Sequence, residues 1–240
     1  MATPNRTVGD LLFQATTVNQ QMVANSTLAA TWNQVAATSQ SLTSGSGATY
    51  TTPAGCSWIE VFMVGGGGGG AGTSTSAVVA GSNGSNSVFN SIIALGGKGA
   101  PTQTAGLATV PGGAGGTGGT GTATRRQPGG PGTNSATQTA NSVSGAGGTS
   151  YFGGGGVGVV GPTSAGVNAA TNSGAGGSGA VNTSNPAAGG GGGAGEFVYM
   201  LIPQPNTTYT YTIGSAGAGG SSTNNGGNGG SGFIFVLEHY

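Results

Sequence analysis

Apolar positions cluster in five short strand-like stretches of this 240-residue chain. In SWIEVFMV, residues 57–64, Ile59, Val61 and Met63 fall on one side. Trp58, Glu60, Phe62 and Val64 fall on the other. Both sides are mainly apolar, which predicts a strand covered on both faces. FVYMLI (197–202), the turn-like PQPNT and TYTYTI (208–213) predict a β-hairpin, with Tyr209, Tyr211 and Ile213 alternating against threonines. FIFVL (233–237) predicts a closing strand, and SVFNSIIAL (87–95) a weaker middle one.

Residues 1–47 follow another pattern, poor in glycine and rich in Thr, Asn, Gln and Ala. Leu11, Val18, Asn25 and Trp32 recur at sevens, with Ala15 and Met22 in the adjacent row, which is an a/d seam with one polar Asn25 in it. Interrupting Thr and Val residues and the lack of flanking charges leave two readings open, an oligomerising helix or an extended anchoring segment. SLTSGSG (41–47) reads as a linker, so two domains are expected, 1–47 and 48–240.

Between the strand signals lie glycine tracts, at 65–70, 112–121, 145–148, 153–156, 174–179, 189–195 and 226–232. Two are triplets: PGGAGGTGGTG (111–121) and GGNGGSG (226–232). Low-complexity glycine commonly makes flexible linkers. Here that would leave apolar strands at both ends of the region uncovered. A triplet period matches polyproline II, with three residues per turn, and places every third residue in one column beside bare backbone. Ordering each residue costs about 1–2 kcal/mol, while a hydrogen bond returns about 0.5–1.5 kcal/mol net. Such a bundle must therefore pair nearly all of its backbone. The expected fold class is mainly β, with short antiparallel strands framing a polyglycine II (polyproline II-like) bundle.

Glycine numbers 56 of 240 and charged residues make up 3%, against usual shares of about 7% and 25%. Arg6, Asp10, Glu60, Lys98, Arg125, Arg126, Glu196 and Glu238 sum to zero. No basic field is available for nucleic acid or an anionic membrane. The single Cys56 rules out an internal disulfide, and with His239 the only imidazole, no metal site or cofactor is expected. Cys56 reads as a buried small hydrophobe and His239 as a solvated chain end. No catalytic constellation is legible, so no enzyme is expected. GGKGA (96–100) fails the phosphate-loop pattern and reads as a turn. The first residues lack a signal-peptide pattern and no apolar run reaches the roughly 18 residues of a membrane span. Synthesis in a cytoplasm and no membrane insertion are expected.

The ordered set TYTTPAG, SWIEVFMV running into GGGGGGAG, SNSVFNSIIALGGKG, YFGGGG, GGGGGAGEFVYMLI, NTTYTYTIGSAGAGG and GGNGGSGFIFVLEHY resembles the glycine-rich C-terminal domain of bacteriophage tail-fibre and adhesin proteins. The likeness spans about residues 48–240. It implies a virion component, a stack of polyglycine II helices as scaffold, and loops at one end that bind a bacterial surface receptor, either a glycan or an outer-membrane protein. Residues 1–47 would attach to other virion proteins and form a homotrimer through Leu11, Ala15, Val18, Met22, Asn25 and Trp32. The chain is short for a full tail fibre and lacks the long shaft that usually precedes such a domain.

Arg125 and Arg126, adjacent in TATRRQPGGPG, suit phosphate or carboxylate groups on lipopolysaccharide or acidic glycan. Tyr151 and Phe152 suit either sugar stacking or capping of the bundle. The loops expected to meet a receptor are 73–86, 100–110, 122–141, 162–172 and 181–188. Two rivals stay open: a purely structural or capsid-attached fibre, and an ice-binding polyproline II protein.

Overall fold

The computed structural model describes residues 21–24, 30–33, 35–75, 77–104, 109–137, 141–182 and 187–240. Among these the chain is mainly β, with several antiparallel sheets and no helix. The largest sheet has the order Arg125–Gln127, Phe197–Pro203, Trp58–Val64, Phe233–His239, Thr38–Leu42. A second sheet has the order Ala48–Thr51, Thr208–Thr212, Ser87–Phe89, Ile92–Ala94.

The two sheets share one core. Ile59, Val61, Met63, Val198, Met200, Ile234 and Val236 come from the larger sheet, and Tyr50, Tyr209, Phe89 and Ala94 from the smaller. Leu42 and Cys56 pack at its margin, and the Cys56 thiol donates to the Trp58 carbonyl at 3.3 Å. Each fully buried Ile, Val or Met contributes about 1.5–3 kcal/mol relative to exposure, so the alternating residues read from SWIEVFMV and FIFVL set which face turns inward. The predicted hairpin is corrected. Phe197–Pro203 lies between Trp58–Val64 and Arg125–Gln127, whereas Thr208–Thr212 pairs with Ala48–Thr51 and Ser87–Phe89. The PQPNT turn thus passes the chain between sheets, because both neighbours of the apolar 197–203 strand are supplied from elsewhere. The 87–95 stretch is itself a tight hairpin, with Asn90 at φ 56°, a conformation that Asn tolerates better than most residues.

The helical reading of the first segment is corrected over its described part. Gln21–Ala24 pairs antiparallel with Ala30–Asn33, and Met22 lies opposite Trp32 rather than beside it on a seam. The β-branched Val23 and Thr31 favour this extended form. Leu11, Ala15, Val18 and Asn25 lie outside the described residues. The boundary expected at residue 47 falls inside the folded body, since Thr38–Leu42 is an edge strand on Phe233–His239.

That edge is held by a buried carboxylate. Glu238, 1% exposed, accepts from Tyr50 Oη at 2.8 Å, from Gln40 Nε2 at 2.7 Å and from Thr38 Oγ1. Burial first, and then this carboxylate, push the Tyr50 phenol well above its ordinary range. Replacing Glu238 with Ala removes the acceptor of the Tyr50, Gln40 and Thr38 side chains and is expected to cost about 2 kcal/mol or more, read as a fall in urea midpoint. Glu238→Gln, which keeps an acceptor, is expected to cost less.

Beyond the sandwich the glycine tracts run side by side. Along residues 65–71 successive N–H groups turn to three different segments: 65, 68 and 71 donate to 196, 193 and 190; 66 and 69 to 85 and 82; 67 and 70 to 230 and 227. The carbonyls of 66–71 accept from three more, 97–100, 177–180 and 217–220. The segment therefore has six hydrogen-bonded neighbours. Residues 189–196 repeat this, surrounded by 174–180, 95–98, 130–133, 145–148, 65–71 and 113–116. Both segments are buried along their whole length. GGKGA is corrected here, since its backbone is one of these segments rather than a turn.

Glycine serves close approach in these tracts. Residues 65–70 and 189–195 avoid the left-handed region, so their torsions suit any residue. A Cβ on Gly67 would stand 1.9 Å from the Ala175 carbonyl oxygen, and one on Gly191 1.9 Å from that of Ala146. In the outer triplet tract Gly113 and Gly116 are buried while Ala114 and Thr117 are exposed, and in 226–232 the exposed or half-exposed positions are Asn228 and Ser231.

Candidate functional site

The hydrogen-bond ladders give the molecule two ends. Residue 64 leaves the sandwich, and 71 reaches the far end, where 180, 190, 220 and 227 are aligned with it. At that end the loops form small sheets: Gly72–Thr73 with Ala77–Val79 and Gln103–Thr104, Thr163–Ser164 with Val181–Asn182 and Ala187–Ala188, and Ser142–Val143 with Val160–Gly161. Thr73 also bridges to Asn224. Beneath them Ala71, Val78, Ala100, Val110 and Ala187 make a second buried cluster, and Ser135 Oγ donates to the Ala188 carbonyl at 2.7 Å.

Most of the loops singled out from sequence converge here. The 100–110 and 181–188 loops do so through their described residues, as do the first part of 73–86, the last part of 122–141 and the first part of 162–172. Residues 76, 105–108, 138–140 and 183–186 lie outside the described residues. The chemistry of this end is uniform. Residues 72–80, 100–110, 134–143, 157–166, 181–188 and 221–225 contain no charged, histidine or aromatic residue. Val157 and Val160 are 66% and 65% exposed, and Val143 and Val167 are also open. Three of the seven large apolar residues exposed among the described residues therefore belong to this region, and Val167 directly follows it.

Arg125, Arg126, Tyr151 and Phe152 sit at the opposite, sandwich end, on or beside the largest sheet. The structure separates the two arginines. Arg126 points inward: Nη1 donates to the Ile93 carbonyl at 2.9 Å and reaches Glu196 Oε1 at 3.3 Å, while Nη2 donates to the carbonyls of Thr120 (2.6 Å) and Gly121 (2.9 Å). Glu196, 2% exposed, also accepts from the backbone N–H of Leu95 and of Gly119 through Oε2. Arg126 is thus committed within the chain. Arg125 is exposed, and its Nη2 donates to Gln127 Oε1 at 3.4 Å. Phe152 lies edge-on to Phe233 and Phe197, whereas Tyr151 lies flat on Phe197 at 3.8 Å and is 53% exposed.

The outer face of the largest sheet is aromatic. Arg125, Tyr199, Phe62, Phe235 and Ser41 form one cross-strand row. His239, read from sequence as a solvated end, is corrected: it stacks on Trp58 at 3.5 Å and lies 3.1 Å from Glu60 Oε1. Tyr199 donates to Glu60 Oε2 at 2.7 Å. This bond to the carboxylate, then burial, pushes the Tyr199 phenol up from 10.0 to about 12. A raised phenol favours the fold below its unfolded value, and the contribution fades as pH rises from 10.0 to about 12. In a phenolate absorbance titration, Tyr199→Phe is expected to remove a component centred near 12, and Glu60→Gln to move that component down toward 10.0.

No group of three or more His, Cys, Asp or Glu residues able to hold a metal ion occurs among the described residues, and no helix there is long and apolar enough to cross a membrane. Comparison with known proteins finds no matching family model, no matching curated protein and no matching solved structure.

Proposed function

We propose that this chain is a bacteriophage virion fibre or adhesin protein, non-enzymatic, whose glycine tracts form a polyglycine II bundle and whose far loops contact a receptor on the host surface. The observation that carries the reading is the separation of the ends. Leu42 lies opposite Ile234, next to the bundle, and Thr38 lies opposite Glu238, away from it. The chain before residue 38 therefore joins at the end away from the loops. A segment that anchors at one end and presents loops at the other fits a fibre tip.

The bundle reading rests on the ladder. Partners recur every third residue and successive residues turn to different neighbours, as three residues per turn require. Residues 1–37 are the attachment and oligomerisation segment to other virion proteins, in a homotrimer. The loops, uncharged and carrying exposed valines, suit a neutral, partly apolar receptor surface.

Two measurements test this. Immunogold labelling of virions is expected to place the protein on an external fibre. Binding of the purified chain to host cells is expected to survive a rise from about 0.1 to 1 M salt, which shortens the Debye length from about 10 to 3 Å, and to be lost with Val157→Asp/Val160→Asp. External labelling with cell binding untouched by substitution across the loops would favour the structural-fibre reading instead.

A further inference from the structure

At the shoulder between sandwich and bundle, a cleft of about 170 Å³ is lined by Gln127, Thr149, Tyr151 and Phe197 with the backbone of Gly129 and Gly195. At about 30 Å³ of liquid volume per water, it holds about six waters, the scale of one sugar ring. The Tyr151 ring lies on Phe197, meets Phe152 at about a right angle and is 53% exposed, which leaves aromatic surface at the cleft for a ligand. Among the described residues the Tyr151 hydroxyl, the Thr149 hydroxyl and Gln127 Nε2 have no hydrogen-bond partner, while Gln127 Oε1 accepts from the exposed Arg125 guanidinium at the rim.

Each group supplies one element of saccharide recognition. A flat aromatic ring takes the apolar face of a pyranose, and an amide and two hydroxyls serve its hydroxyl groups. A guanidinium at the rim takes a carboxylate in charge-assisted bonds. We propose that this cleft binds a hexuronic acid, its carboxylate on Arg125 and its ring on Tyr151. The site lies on the sandwich side of the bundle and is independent of the far loops and of the fibre reading.

The test uses the full chain and isothermal titration with galacturonate, glucuronate and neutral galactose, and with a short oligogalacturonate. The expected result is saturable binding of at least one uronate, weakened about tenfold or more by Arg125→Gln and abolished by Tyr151→Ala, with Lys98→Gln, a cation outside the cleft lining, as a control that changes nothing. Near-UV circular dichroism checks that the Tyr151 variant keeps its fold; Arg125→Gln, on a surface side chain, carries the test if it does not. Tighter binding of the oligomer than of the monosaccharide assigns the ligand to a polymer, and equal binding assigns it to a free sugar acid. Absence of uronate binding, galactose binding as tight as uronate, or equal losses in Arg125→Gln and Lys98→Gln would overturn the proposal.

Discussion

Gly67→Ala is expected to prevent folding or to cost about 4 kcal/mol or more, a loss outside the ordinary range for a single substitution. The added methyl would meet the Ala175 carbonyl oxygen at 1.9 Å and the carbonyl carbon at 2.4 Å. Both are backbone atoms, so no rotamer change relieves the clash. Moving the 65–71 segment away would strain its hydrogen bonds to six neighbours at once, and each buried N–H or C=O left unpaired costs about 1–3 kcal/mol. The control is Gly154→Ala, where a methyl meets nothing within 4 Å and the backbone is not left-handed. There the expected change runs from neutral to a gain of about 0.4–1 kcal/mol, through a less flexible unfolded chain. Urea unfolding of the two variants beside the parent reads the contrast.

Glu196→Ala is expected to cost about 3–5 kcal/mol. Its carboxylate neutralises Arg126 and accepts the N–H groups of Leu95 and Gly119. Removing one partner of a buried pair leaves an uncompensated charge, which is the source of that magnitude. Because Arg126 is 24% exposed, the lower part of the range applies. Glu196→Gln retains an acceptor for the two N–H groups and loses only the charge pairing, so about 1–2 kcal/mol is expected. Thermal and urea unfolding separate the two. A loss in Glu196→Ala no larger than in Glu196→Gln would show that the clamp contributes only charge.

Local pattern carried part of the fold. The alternation in SWIEVFMV and FIFVL fixes their inward faces, and the triplets at 111–121 and 226–232 place Ala114, Thr117 and Asn228 in outward columns with bare glycine inward. Partner choice was hidden, because it depends on which strand edges remain open after distant segments have docked. Phe197–Pro203 pairs with Trp58–Val64 across more than a hundred residues, and no local signal favours that over the neighbouring TYTYT. The candidate site was divided for the same reason. Arg125 and Arg126 look alike in sequence, but strand alternation turns one outward and the other onto Glu196, seventy positions away. Tract sequence is too uniform to report that the arginines and the loops lie at opposite ends. Gln127 and Thr149 are not legible in the sequence, since single amides and hydroxyls in a Ser- and Thr-rich chain carry no signal until a cleft gathers them.

Residue-resolved amide exchange by NMR on the purified chain tests the central claim, that the glycine tracts form a hydrogen-bonded scaffold holding loops and attachment segment apart. The account predicts slow exchange at every residue of 65–71. Along the outer tract it predicts a three-residue rhythm, with Gly113, Gly116 and Gly119 slow because they donate to Gly191, Ala194 and Glu196, and Ala114 and Thr117 fast. Rapid exchange throughout 65–71, or no rhythm along 112–119, would contradict it.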